Sequence, residues 1–118
     1  MLTPIVLKEK CLYLKTKYRN KLQSLVLEHC TDVKGQYIYL VKIIIRKSQN
    51  NKGWGSIVMQ DIINFANQHN VRIKIWVTNI YGSDLQRLYR FYLRLGFVLI
   101  IDFTDGHMMF YPKKIRNN

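Results

Sequence analysis

The sequence predicts an α/β chain of the α+β kind, with a mixed, mostly antiparallel sheet of about six strands and two main helices. Three observations carry this expectation. Residues 22–46 read as two β-type runs around a polar turn. Residues 43–78 read as strand, polar glycine-containing loop, amphipathic helix and strand. Residues 83–111 read as a helix followed by two short strands around Asp105-Gly106. A strand–helix–strand unit with a helix of about 15 residues makes its two strands parallel. The hairpins at either end make the remaining pairs antiparallel.

Taken in order, residues 4–19 mix apolar and basic side chains, with Ile5, Val6 and Leu7 followed by Cys11, Leu12, Tyr13 and Leu14. They read as two short strands. LQSLVLEHC at 22–30 is a strand, Thr31 to Gln36 a turn containing Lys34-Gly35, and YIYLVKIIIR at 37–46 a second strand. The unbroken apolar end of that second run suits a strand covered on both faces. From Gly55 to about His69, Val58, Met59, Ile62, Phe65 and Ala66 share one helical face, with Gln60, Asp61, Asn64, Asn67 and Gln68 on the other. Asn70 is the stop, and RIKIWVT at 72–78 is a strand. After the loop Asn79 to Gly82, Ser83 and Gln86 have capping-box spacing. Leu85, Leu88, Tyr89, Tyr92 and Leu95 form the apolar face of the helix they open, Arg87, Arg90 and Arg94 its other side, and Gly96 its end. Phe97–Phe103 and Met108–Tyr111 are strands, and the tail after Pro112 is expected to fray.

With 118 residues, positions 1–118 are expected to form a single domain with a small core. No window approaches the roughly 18 apolar residues of a membrane span, so no membrane partner is expected. MLTPIVLKEK is too short and too soon charged for a signal peptide. Cys11 and Cys30 lack paired spacing, which argues against a disulfide scaffold or zinc site and for reduced thiols in the cytoplasm. The net charge of +12 is uneven, with residues 1–53 carrying eleven Lys+Arg against three Asp+Glu. Such an exterior is either simply well solvated or a surface for a polyanion, whether nucleic acid, an acidic protein or a phosphorylated cofactor.

The stretch that carries chemistry is the loop Asn50–Ser56. Asn50, Asn51 and Gly53 take unusual backbone angles at little steric cost. Gly55 leaves room for an approaching group, Lys52 adds a charge and Ser56 a hydroxyl. Amides at a helix start have no intrahelical acceptor and carry partial positive charge, so they suit a diphosphate. The bland reading is an ordinary strand-to-helix loop with Asn51 or Ser56 as a cap. Neither a G-x-x-x-x-G-K-[ST] loop nor G-x-G-x-x-G is present. No nucleophile motif, carboxylate pair or metal cluster is apparent.

The second helix adds a partner to that loop. Asn50-x-x-Gly53-x-Gly55, followed one βα unit later by Tyr92, Gly96 and Phe97, resembles the Gcn5-related N-acetyltransferase (GNAT) family over roughly residues 36–112. That family's loop runs Arg/Gln-x-x-Gly-x-Gly/Ala, and its later helix ends in Tyr-x-x-x-Gly-Phe. GSDLQRLYRFY is similar to short acetyltransferase-like proteins often encoded by phages. The resemblance implies a GNAT-like fold and acetyl transfer from acetyl-coenzyme A to an amine acceptor by direct attack. Backbone of Ile43, Ile44 and Ile45 would pair with the pantetheine arm. Asn50, Asn51, Lys52, Gly53, Trp54, Gly55 and Ser56 would surround the pyrophosphate, and Tyr92 would be the general acid. Set against these roles are a core position for Tyr92 and plain packing for Trp54; Arg87, Arg90 and Arg94 read as a solvated face, with a contact to the cofactor's 3′-phosphate or to a nucleic-acid partner as the alternative. Glu28, His29 and Asp32 are the candidate general bases. The rival expectation is a GNAT-like basic module, weak or inactive in catalysis, that binds nucleic acid or a host protein.

Overall fold

The computed structural model describes residues 1–78, 84–103 and 106–111. The elements are α1 (Pro4–Lys17), β1 (Leu22–Asp32), β2 (Gly35–Ile45), a 3-10 turn (Lys47–Gln49), α2 (Trp54–Gln68), β3 (Arg72–Thr78), α3 (Leu85–Arg94), β4 (Val98–Phe103) and β5 (Gly106–Tyr111). The five strands lie in the order β1-β2-β3-β5-β4. Among the described residues only β2 and β3 pair in parallel; the other three pairs are antiparallel. The mixed, mostly antiparallel sheet is therefore as expected; the described residues hold five strands, close to the six expected, and three α-helices where two main ones were expected.

The difference arises at residues 4–19, which form α1 and not strands. Thr3 Oγ1 accepts from Val6 N at 3.2 Å, and Pro4 sits at the first helical position with its φ already set. Leu7 and Leu14 are buried and Val6 and Cys11 half-buried, a helical face. Ile5 and Leu12 are also apolar but 70% and 65% exposed, and this blurs the helical period in the sequence.

Both later helices end on a left-handed residue. Asn70 (φ 58°) and Gly96 (φ 102°) follow α2 and α3. In each case the next amide reaches back into the last turn, Val71 N to Ala66 O and Phe97 N to Tyr92 O, both at 3.0 Å. The α3 start differs from the Ser83–Gln86 expectation. Asp84 caps it, accepting from Gln86 N (2.9 Å) and Arg87 N (3.2 Å); Ser83 lies outside the described residues, as do Asn79–Gly82, Asp105 and the tail from Pro112.

Leu25, Ile38, Leu40, Ile73, Ile75, Val77 and Met109 of the sheet form one core with Leu7 and Leu14 of α1, Met59 and Ile62 of α2, and Tyr92 of α3. The first two helices are joined at their polar edges, where Tyr18 and Lys17 both donate to Asp61 Oδ2, at 2.5 and 3.1 Å. Cys11 and Cys30 are free and half-buried. Among the described residues no helix is long and apolar enough to cross a membrane.

Candidate active site

The site begins with an irregularity in β2. Val26 and Leu27 are consecutive on β1 but face Lys42 and Leu40, so Val41 is an extra residue on β2. A bulge of this kind bends its strand and switches the alternation of side chains. Before it, Ile38 and Leu40 point into the core; after it, Ile43 and Ile45 do. The parallel pairing with β3 ends at the same place, with Leu40↔Ile75 as the last pair. Beyond it β2 runs on to Ile45 and β3 to Thr78 without pairing to each other, so two strand edges diverge.

The gap is a cleft of about 1020 Å³. Ile43, Ile44 and Ile45 form one wall, and Trp76, Val77, Leu88, Phe91 and Tyr92 another. Asn50, Asn51, Gly53, Trp54, Gly55 and Ser56 close one end. Nine of the ten cofactor-loop and strand residues expected from the sequence thus border one space, and Tyr92 faces it too. Lys52 does not line the cleft and is exposed.

At the closed end the chain turns through Asn51 (φ 62°) and Gly53 (φ 83°), both left-handed. Gly53 is the N-cap of α2 and offers no side-chain acceptor, and the first turn holds no acid. The first intrahelical bond is Ile57 N to Gly53 O, at 3.2 Å. The amides of Trp54, Gly55 and Ser56 are thus left without an intrahelical acceptor, at the positive end of the helix dipole. Asn51 and Ser56 do not cap the helix. Gly55 lies against Phe91 and Ile45: a Cβ there would meet Phe91 Cζ at 3.4 Å and Ile45 Cγ1 at 4.0 Å, ordinary van der Waals contact.

Two contributors were missed in the sequence. Arg87 Nη2 donates to Asn51 Oδ1 at 2.6 Å, tying the first turn of α3 to the loop. Val41 makes the bulge. For Arg87 the sequence suggests a solvated face or a phosphate contact, not a tie to the loop; nothing marks the second.

Tyr92 is 4% exposed, with Phe91 and Phe97 edge-on at 5.0 and 5.3 Å between ring centroids. Burial pushes its phenol well above the ordinary value. Trp54 packs edge-on against Tyr18 at 6.2 Å, and His69 against Phe65 at 4.4 Å. None of the three candidate bases borders the cleft. Asp32 bonds Arg72 (2.6 Å) and Lys74 (2.7 Å), which hold its carboxyl far below the usual range. His29 Nε2 lies 2.8 Å from Gln36 Nε2, and Glu28 is exposed opposite Tyr39 on β2.

Residues 9–97 match the family described as Acetyltransferase (GNAT) family. The chain belongs to that family. No curated protein sequence matches it significantly. Among solved structures, GNAT-type folds align well at low identity. An Arabidopsis thaliana protein in complex with the bisubstrate analogue CoA-Ac-MVNAL is 13% identical with a TM-score of 0.60, over 92% of this chain and 93% of that one. The PaiA N-acetyltransferase of Thermoplasma acidophilum, in complex with coenzyme A, is 12% identical with a TM-score of 0.57, over 91% and 71%. A GNAT-family acetyltransferase of Bacteroides thetaiotaomicron is 16% identical with a TM-score of 0.56, and this GNAT chain spans 56% of its length. At such identities the likeness is one of fold.

Proposed function

We propose that the cleft binds acetyl-coenzyme A and passes its acetyl group to an amine acceptor. The observation that carries this is the opening of β2 from β3 directly onto the uncapped start of α2. An extended, amide-bearing pantetheine arm suits the free strand edge at Ile43–Ile45, as an added strand would. The pyrophosphate suits the amides of Trp54, Gly55 and Ser56. Lys52, outside the cleft, adds only long-range positive charge. Two of the aligned structures hold coenzyme A or an analogue of it, which supports the same ligand here.

In the transfer, the neutral amine nitrogen attacks the thioester carbonyl carbon, the C–N bond forms and the C–S bond breaks. Tyr92, a phenol that is protonated at neutral pH, supplies a proton to the departing thiolate and regains one from solvent. The amine proton leaves to water, since among the described residues Asp84 is the only carboxylate bordering the cleft and it caps α3. That scarcity of bases favours one alternative: a catalytically weak GNAT module.

Titration of the purified protein with acetyl-coenzyme A is expected to give a saturable thermal shift. No saturation at millimolar cofactor overturns the proposal. Tyr92→Phe is expected to keep that binding and lower thiol release with a panel of amines, including peptide N-termini and polylysine, by about 100-fold. Equal turnover removes Tyr92 from the mechanism, and absence of turnover in the unaltered protein with saturable binding supports the weak module.

A further inference from the structure

The cations of the N-terminal half gather at one rim. Arg46 fastens the turn between α1 and β1 twice, donating from its amide to Lys21 O at 2.7 Å and from Nε to Arg19 O at 3.1 Å. The Lys21 ammonium donates to Gln49 Oε1 at 3.2 Å and sits 4.6 Å from the Trp54 ring centroid. Lys17, Arg19, Asn20, Lys21 and Trp54 surround a hollow of about 260 Å³. Lys47 follows Arg46 and borders the cleft. Two segments distant in sequence, 17–21 and 46–47, thus bring five cations together.

Little opposes that charge. Lys17 meets Asp61 at 3.1 Å. Among the described residues, Arg19, Lys21, Arg46 and Lys47 meet no carboxylate. The acceptors that Lys21 and Arg46 do have are an amide oxygen and a carbonyl, which orient the cations without neutralising them. Uncompensated like charges repel in the folded chain, and a bound polyanion relieves that repulsion.

We propose that this rim, built from Arg19, Lys21, Arg46 and Lys47 with Lys17 at its edge, binds the phosphate backbone of a nucleic-acid strand. An acidic protein fits it less well. Protein interfaces centre on desolvated apolar anchors and are poor in lysine. Here the apolar members, Tyr18 and Trp54, pack on each other, and the exposed members are Arg, Lys and Asn. Nucleic-acid interfaces are polar and strongly positive. Because Trp54 borders both the hollow and the cleft, a strand on the rim runs beside the cleft mouth. The rim does not depend on the acetyl-transfer reading.

The test is fluorescence anisotropy with a labelled 20-nucleotide single-stranded RNA, without cofactor, from 50 to 300 mM NaCl. Affinity is expected to fall steeply with salt. The double variant R19A/K47A is expected to bind about 25-fold more weakly at 0.1 M salt and to lower the slope of log K against log salt by about 1.4, the counterion contribution of two contacts to a single strand. The control K8A/K15A removes the same charge from exposed positions on α1 and is expected to change affinity about twofold or less. No binding at 50 mM salt, or equal losses in the two variants, overturns the proposal. So does equally tight binding of polyglutamate, which would make the partner an acidic protein. Full displacement of the RNA by coenzyme A would reassign the rim to the cofactor's phosphates and overturn it as well.

Discussion

The helices α2 and α3 both start where the chain leaves a parallel strand, and both leave three or four amides to satisfy. They meet this need in opposite ways. At α3, the Asp84 carboxylate takes the amides of Gln86 and Arg87. At α2, Gly53 provides the left-handed turn and no acceptor. An internal anion stabilises one start, and the other is left open for an external one. The same contrast separates α2 from α1, whose Thr3 hydroxyl takes the amide of Val6. A helix start with no cap of its own, facing a cleft, is what sets the loop apart from the molecule's other turns.

The largest effect is expected from giving α2 its own anion. Ser56→Glu places a carboxylate in the first turn, where it favours the helix by some tenths of a kcal/mol. It also opposes a diphosphate a few ångströms away. Repulsion of about 2–3 kcal/mol follows at an effective dielectric near 20, so calorimetric titration should show acetyl-coenzyme A affinity reduced on the order of 100-fold. An unchanged melting temperature with unchanged affinity would show that the α2 start is not the anion site.

Asp84→Ala makes the reverse change and leaves α3 uncapped. It is expected to cost about 1 kcal/mol, read as a fall of about 4 °C in thermal unfolding. A loss of cofactor affinity larger than the loss of stability would mean that the two starts are coupled. The smallest effect is expected from Arg87→Ala, which removes the exposed bond to Asn51 and leaves both caps as they are. About 0.5–1 kcal/mol of cofactor affinity should go with it, with little change in melting. An Arg87→Lys variant restores the charge but not the planar donor fork, so partial recovery separates charge from loop positioning.

Much of this site was legible in the residues. The run from Tyr37 to Arg46, the glycines at 53 and 55 and the amphipathic face of α2 place a strand, a loop and a helix in the right order. Tyr92 and Gly96 mark the α3 end. What was not legible depends on contacts between distant residues. The α1 helix reads as strand because Ile5 and Leu12 are apolar but sit on its outer side. Asp32 looks like a free carboxylate until Arg72 and Lys74, forty and forty-two residues later, close on both its oxygens.

From β1 onward, the residues alone specify the local elements and their sequence-neighbour pairings, because periodicity, turn residues and chain reach act over a few residues. They leave open whether Asn51 or Ser56 caps α2; the fold makes Gly53 the N-cap, with no side-chain acceptor. The extra residue at Val41, where the β2–β3 pairing ends and the cleft opens, is a property of the folded sheet. A bulge is fixed by the register of β1 against β2, which the β2 residues alone do not encode. Contacts between distant segments likewise bring Arg19 and Arg46 to one rim.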